Sequence, residues 1–374
     1  MSQFTAVLAG YFRATAKAIH ADRFVYALVA VYLLAGGSYV LVNHGMLLGA
    51  LDIYAHTCLL TYCLILPFVV LVCGIARITH RLDRRRGLAY LQMFGPTRVA
   101  RFLAGTLLMM AGLLPFEAMF ASVKTTFSDR GFPFDKMVAD VDKFLHFGHA
   151  PVRYLYAFAK NEWVLRAVEF NYDVVWFVLC FGILYWVAIS PRAEGIRLRY
   201  CVTFFLVWVI VGNFAAAMLP TAGPAFYSQV TGDPGRFEHL KVFLDGTAGW
   251  FASAADAQQY LWSLHEEGLS GFGSGISAFP SIHVALVATN AFFVLERSGW
   301  LGLLTALYTQ LIMVSSVYLG WHYAVDGYAA VLLSCAIYWG IRRGLPRLQL
   351  GVERALAGAS TGPIPGGEWP SQPG

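Results

Sequence analysis

The chain has 374 residues, of which 58% are hydrophobic and only 13% charged, with a formal charge of +5. Soluble domains carry about 25% charged residues, so this composition excludes an ordinary water-soluble enzyme and points to several membrane-spanning helices. The excess of positive charge does not suggest nucleic acid as a partner, because the arginines cluster in short loops between apolar runs, where they report orientation.

Residues 1–23 place Arg13, Lys17 and Arg23 in a mixed segment that suits an amphipathic helix on the cytoplasmic face. The next apolar run, 24–43, has no small-residue cleavage site after it and is expected to be a retained first span. The loop 44–56 lacks Lys and Arg and belongs outside, whereas the second span, 57–77, ends in a run from His80 to Arg86 that marks the cytoplasmic side. Residues 1–98 therefore form an N-terminal unit with two accessory spans. A third span, 99–119, opens a helix bundle expected to reach residue 343.

The stretch 120–170 is too polar to cross. Its Val138, Val141, Phe144 and Leu145 suit an amphipathic helix at the outer interface, with His146, His149, Arg153 and Lys160 near headgroups or snorkelling. The fourth span, 172–190, leads to a basic loop with Arg192, Arg197 and Arg199, and the fifth, 200–219, carries Asn213 near its outer end. Residues 220–278 read as a folded outer cap, with Tyr227, Trp250 and Trp262 as interface anchors. Spans six to eight follow at 280–297, 300–318 and 322–341, and Arg342, Arg343 and Arg347 mark the inside. The expected fold is thus an all-α polytopic membrane bundle of about eight spans with an outer interfacial cap. The tail 344–374 is expected to be disordered and cytoplasmic. The six cysteines lie in or beside spans and suggest neither a disulfide framework nor a metal site.

Two stretches carry chemistry: Ser277-Ala278-Phe279-Pro280-Ser281-Ile282-His283, and Ser315 to Asp326. His322 and Asp326 stand four apart, on one face if the run is helical. Asp326 can then take the proton of one ring nitrogen and leave the other as a nucleophile or base. The same pair would also suit a buried hydrogen bond that only fixes packing. His283 opens an apolar run directly after a loop containing Gly271, Gly273 and Gly275, and both helix starts and glycine loops offer free amides to an anion. Alternation puts both histidines at the outer face, where together they suggest phosphoryl transfer through a histidine. A metal or proton site in a transporter, or a non-catalytic lipid-binding protein, are the readings from other classes.

Pro280-Ser281-Ile282-His283 and the Ser315–Asp326 stretch resemble the second and third motifs of the type 2 phosphatidic acid phosphatase superfamily, P-S-G-H and S-R-x5-H-x3-D. His322-Tyr323-Ala324-Val325-Asp326 is similar to the H-Y-x-x-D form of the branch holding inositol phosphorylceramide and sphingomyelin synthases. Pro220-Thr221-Ala222-Gly223-Pro224 resembles a further element of that branch. Ile282 stands in place of the motif glycine, Ser316 in place of its arginine, and the first motif, K-x6-R-P, is absent. Fewer cations suit a phosphodiester better than a phosphomonoester.

The resemblance implies a plasma-membrane phospholipid headgroup transferase that needs no cofactor, with a lipid phosphatase or phospholipase C type hydrolase as the alternative. It implies His322 as nucleophile, Asp326 as its orienting partner and His283 as acid and then base. Ser281, Gly275, Asn213, Ser315 and Tyr323 are the expected contacts to substrate.

Overall fold

The structure is a computed structural model that describes residues 3–44, 51–82, 84–128 and 130–360. Among them every regular element is helical. Seven helices are long and apolar enough to cross a membrane: Arg23–Asn43, Leu51–Arg81, Pro96–Thr126, Glu162–Ile189, Pro191–Met218, Gly299–Tyr318 and Ala324–Leu350. A shorter apolar helix, Ile282–Leu295, completes the expected eight. Several spans run beyond their predicted ends because polar residues there are buried by neighbours rather than released to water. Thr125 and Thr126 extend the third in this way, and Glu169 the fourth.

Ile282–Leu295 is the centre, packing against the two spans that follow it and against Pro191–Met218. It can afford to be short because its flanks are covered by protein. Pro191–Met218 is 61% buried, whereas Leu51–Arg81 is 11% buried and lies at the rim with Leu60, Leu64 and Phe68 turned outward. Small residues bring the inner helices close. A methyl group on Gly105 would sit 2.7 Å from the Ala188 backbone, so the third and fourth spans cross in contact there.

Buried polar groups fix the register. Arg101 pairs with Asp22 and donates to the Ala18 carbonyl, tying the N-terminal helix Gln3–Ala21 to the third span. Arg197 donates to the carbonyls of Val187 and Ser190 and closes the turn between the fourth and fifth spans. Tyr200 donates to Asn290 at 2.6 Å, and Arg199 and Tyr338 both bind Glu296. Four spans contain a wide turn of π geometry, at Leu59–Ile65, Met109–Leu113, Asn171–Val175 and Trp208–Ala215, a local widening common at functional sites.

The cap differs from expectation in which faces it buries. In the helix Asp135–Leu145 the inward face carries Asp135 and Asp142 beside Val138, and Phe144 is 82% exposed. The carboxylates go inside because backbone amides of other elements meet them there. Tyr227, expected as an interface anchor, is buried under Phe237 and Arg236. At the carboxyl end the last helix runs from Ala324 to Ser360, past the expected start of a disordered tail at 344. The run of helix-favouring Arg, Leu, Gln, Glu and Ala residues explains the extension. Residues 361–374 of that tail and residues 45–50 of the expected outer loop 44–56 lie outside the described residues, while the loop's last part is helical from Leu51.

Candidate active site

The geometry begins with how the chain holds His322. The helix Gly299–Tyr318 ends at Leu319, and Gly320 turns the chain with φ +71°. The amides of Trp321 and His322 then both donate to the Ser316 carbonyl, at 3.0 and 3.3 Å. Gly223, at φ +98°, lets the Pro220–Pro224 loop approach so closely that a methyl there would meet the Trp321 carbonyl at 2.6 Å. His322 is thereby set between two loops, ahead of the final helix rather than on it.

His322 Nδ1 lies 2.6 Å from the Ala278 carbonyl and 3.5 Å from Asp326 Oδ2. Both neighbours are acceptors, so Nδ1 carries the proton and Nε2 is the free nitrogen. The carbonyl, not the carboxylate expected from the sequence, makes the short contact. Asp326 is fully buried and accepts the Tyr323 amide at 2.8 Å, while its Oδ1 has no hydrogen-bond partner among the described residues. Its backbone carbonyl also accepts the Ser281 amide at 3.3 Å, joining the two motif stretches directly.

His283 sits in the first turn of Ile282–Leu295, capped by Ser281, whose hydroxyl accepts the Val284 amide. Its ring stacks on Tyr172 at 4.6 Å with an interplanar angle of 16°, and the Trp176 ring is 4.0 Å away. Trp176 Nε1 donates to the His283 carbonyl at 3.0 Å. Among the described residues no protein group hydrogen-bonds the ring nitrogens, which leaves them for a ligand.

His283 and His322 line one cavity of about 320 Å³, a size suited to small ligands. Lys124, Asp173, Tyr260 and Gly275 share its wall. The cap contributes Ala257, Tyr260 and Leu261 from the helix Ala254–Glu267. Glu169, at the top of the fourth span, holds that helix by accepting the Ala254 amide and the Thr247 hydroxyl. Gly275 works by what it lacks, since at φ +86° an added methyl would fall 2.7 Å from the Lys124 backbone. The glycine loop is seated on Lys124.

Of the expected residues, then, His322, His283 and Gly275 meet at the cavity and Asp326 backs His322. The other four are elsewhere. Ser281 is a buried helix cap, and Ser315 is buried in its helix. Asn213 accepts the Tyr32 hydroxyl at 2.6 Å between the first and fifth spans. Tyr323 donates to Asp135 at 2.8 Å, behind the wall. Polar side chains at these places satisfy one another inside the protein, which spacing in a sequence does not reveal.

Asp135 also accepts the Ala222 and Gly223 amides, at 2.6 and 2.9 Å, and Asp142 accepts the Val325 amide at 3.1 Å. Two carboxylates on one cap helix therefore grip the Pro220–Pro224 loop and the start of the last helix. Burial raises Asp135 to about 6 despite the opposing pull of these donors. Burial also raises Asp142 to about 6, against the Val325 amide and nearby His146.

Sequence reasoning missed Lys124, Asp173 and Asp135. Lys124 had a signal: it is a cation seven residues after Glu117 in an apolar run, and intramembrane charge is a functional hint by default. Ending the third span at 119 hid it.

A family model described as the PAP2 superfamily matches residues 136–340, more than half of the chain. No curated protein and no solved structure matches. The matched stretch contains both histidines, Asp326 and the cap carboxylate Asp142, with Asp135 one residue ahead of it, and the chain belongs to the PAP2 superfamily.

Proposed function

We propose that this integral-membrane enzyme of the lipid phosphatase type is a phosphotransferase that moves a phospholipid headgroup through a phosphohistidine on His322. The observation that carries the reading is the pair of acceptors on His322 Nδ1, which directs the proton there and leaves the Nε2 lone pair for a phosphorus atom in the cavity. Attack by Nε2 forms the P–N bond as the P–O bond to the diacylglycerol oxygen breaks. His283 gives that oxygen a proton. In the second half the acceptor hydroxyl passes its proton to His283 and its oxygen bonds to phosphorus. The P–N electron pair returns to Nε2. Asp326, buried beside the ring, stabilises the imidazolium character of the phosphorylated state.

Lys124 and the Gly275 amide supply the positive field that the absent motif arginines would have given, since the Gly273 and Ser274 amides donate to Tyr54 and to the Gly271 carbonyl. One fixed cation suits the single charge of a phosphodiester. The bundle from the third span to residue 343 serves as the catalytic unit and faces the non-cytoplasmic side of the plasma membrane.

The test is lipid mass spectrometry on purified protein in phospholipid vesicles, beside His322→Ala. Diacylglycerol together with a new headgroup lipid supports transfer. Free phosphate or phosphorylated headgroup alone means hydrolysis, and equal turnover in His322→Ala rejects the phosphohistidine.

A further inference from the structure

A second cavity, of about 200 Å³, adjoins the first between the apolar spans of the bundle. The two share Lys124, Phe272, Gly273, Ile282 and His283 as a common wall. Beyond that wall the surfaces change character. Tyr62, Phe120, Phe177, Phe181 and Trp208 line the second cavity, and Glu117 is its single carboxyl group. Much of it is built by the second and third spans, outside the matched residues 136–340. Two of the wide turns, Leu59–Ile65 and Trp208–Ala215, aim Tyr62 and Trp208 into it.

An apolar cavity of about 150 Å³ already admits a benzene-sized molecule, so this one holds a ring or a short stretch of hydrocarbon chain. Glu117 makes it more than a lipid slot. The protein hydrogen bond it receives comes from the Cys58 thiol at 3.9 Å, a weak donor for a carboxyl set among aromatic rings. Such a group is matched by a hydroxyl or amide N–H on an otherwise apolar ligand. His283, whose ring nitrogens have no protein partner among the described residues, stands where that ligand would meet the phosphorus.

We infer that the second cavity seats the acceptor: a membrane-dissolved long-chain alcohol, with its reacting hydroxyl at His283, its chain against the aromatic wall and a further polar group on Glu117. This rests on the transfer reading above and adds that the N-terminal accessory spans, not the superfamily core, choose the acceptor. Donor and acceptor enter from opposite sides of the His283–Lys124 partition. The hydroxyl proton goes to His283, the new P–O bond forms and the P–N bond to His322 breaks, so no further reactant is needed.

Two measurements on the full-length protein in nanodiscs test this. In the first, a hexadecanol analogue with a diazirine near its hydroxyl end is photolysed with the protein, wild type and His322→Ala alike. Labelling is expected on peptides spanning 51–66 or 114–124, displaced by excess hexadecanol and not by phospholipid. Labelling displaced by phospholipid instead, or absent from these peptides, overturns the assignment.

In the second, Ala121→Leu narrows the cavity at a buried wall position. It is expected to raise the acceptor KM at least ~10-fold with an unaltered donor KM. Glu117→Leu does the same and Glu117→Gln, which keeps an acceptor oxygen, less so. Equal shifts in both KM values reject the division of the two cavities. If the alcohol labels the cavity but His322→Ala retains turnover, the phosphohistidine reading fails and the cavity assignment stands.

Discussion

His322, the proposed nucleophile, is held from its back side. The Ala278 carbonyl at 2.6 Å and Asp326 at 3.5 Å share the work of orienting one imidazole. His322→Ala should therefore lower turnover by on the order of 10²-fold or more. Asp326→Asn should cost less, because the Ala278 carbonyl still holds the Nδ1 proton; single-turnover rates for the two variants check that order, and equal losses contradict it. Lys124→Met should lower kcat/KM by roughly 10²-fold, worth about 2.7 kcal/mol of transition-state charge stabilisation, with Lys124→Arg recovering part of it.

Asp135 gives the pH dependence. Its folded value, about 6, lies above the ordinary 3.8, so its proton binds the folded state more tightly. The stabilisation is complete below about pH 4 and is lost as pH rises through about 6. Thermal melts between those limits should fall more steeply for wild type than for Asp135→Asn, which cannot titrate, and parallel slopes would refute the assignment. At this scale the sequence carried the histidines and Asp326, because intramembrane His and Asp are rare and their spacing is informative. It concealed Lys124 and Asp135, whose roles depend on a loop and a cap arriving from more than eighty residues away.

Secondary elements were readable where one rule governs them. Apolar length and arginine-rich loops locate seven of the expected eight crossings, and the eighth corresponds to the shorter apolar helix Ile282–Leu295. The helix Asp135–Leu145 was legible, but the burial of its Asp135 and Asp142 was not, since amphipathic patterning assumes that water faces the charges, and here backbone amides do. The loop before Ile282–Leu295 is a joint of a different kind. Gly275→Ala must adopt φ +86° and move Lys124, so it should impair donor binding more than the ~1 kcal/mol lost with the Ser281→Ala cap substitution impairs stability. Donor KM and thermal midpoint, measured for both variants, separate the two effects. A normal donor KM in Gly275→Ala would show that the loop does not set the cation.

For the whole molecule, the hairpin formed by the helices Ile282–Leu295 and Gly299–Tyr318 places both histidine-bearing ends on one side. With Cys63 and Cys73 replaced by alanine, Asp233→Cys should react with a membrane-impermeant maleimide on intact cells and Arg84→Cys only after lysis. The reverse pattern would turn the active site to the cytoplasm. Each wide turn amounts to one residue added to an otherwise α-helical span, and one residue corresponds to about 100° of rotation. Deleting a single residue within 171–175 would swing Tyr172 away from the His283 ring it stacks on, yet keep every crossing and both signatures. Small insertions and deletions inside these spans thus act as a rotary adjustment, able to separate enzymes whose motifs read alike.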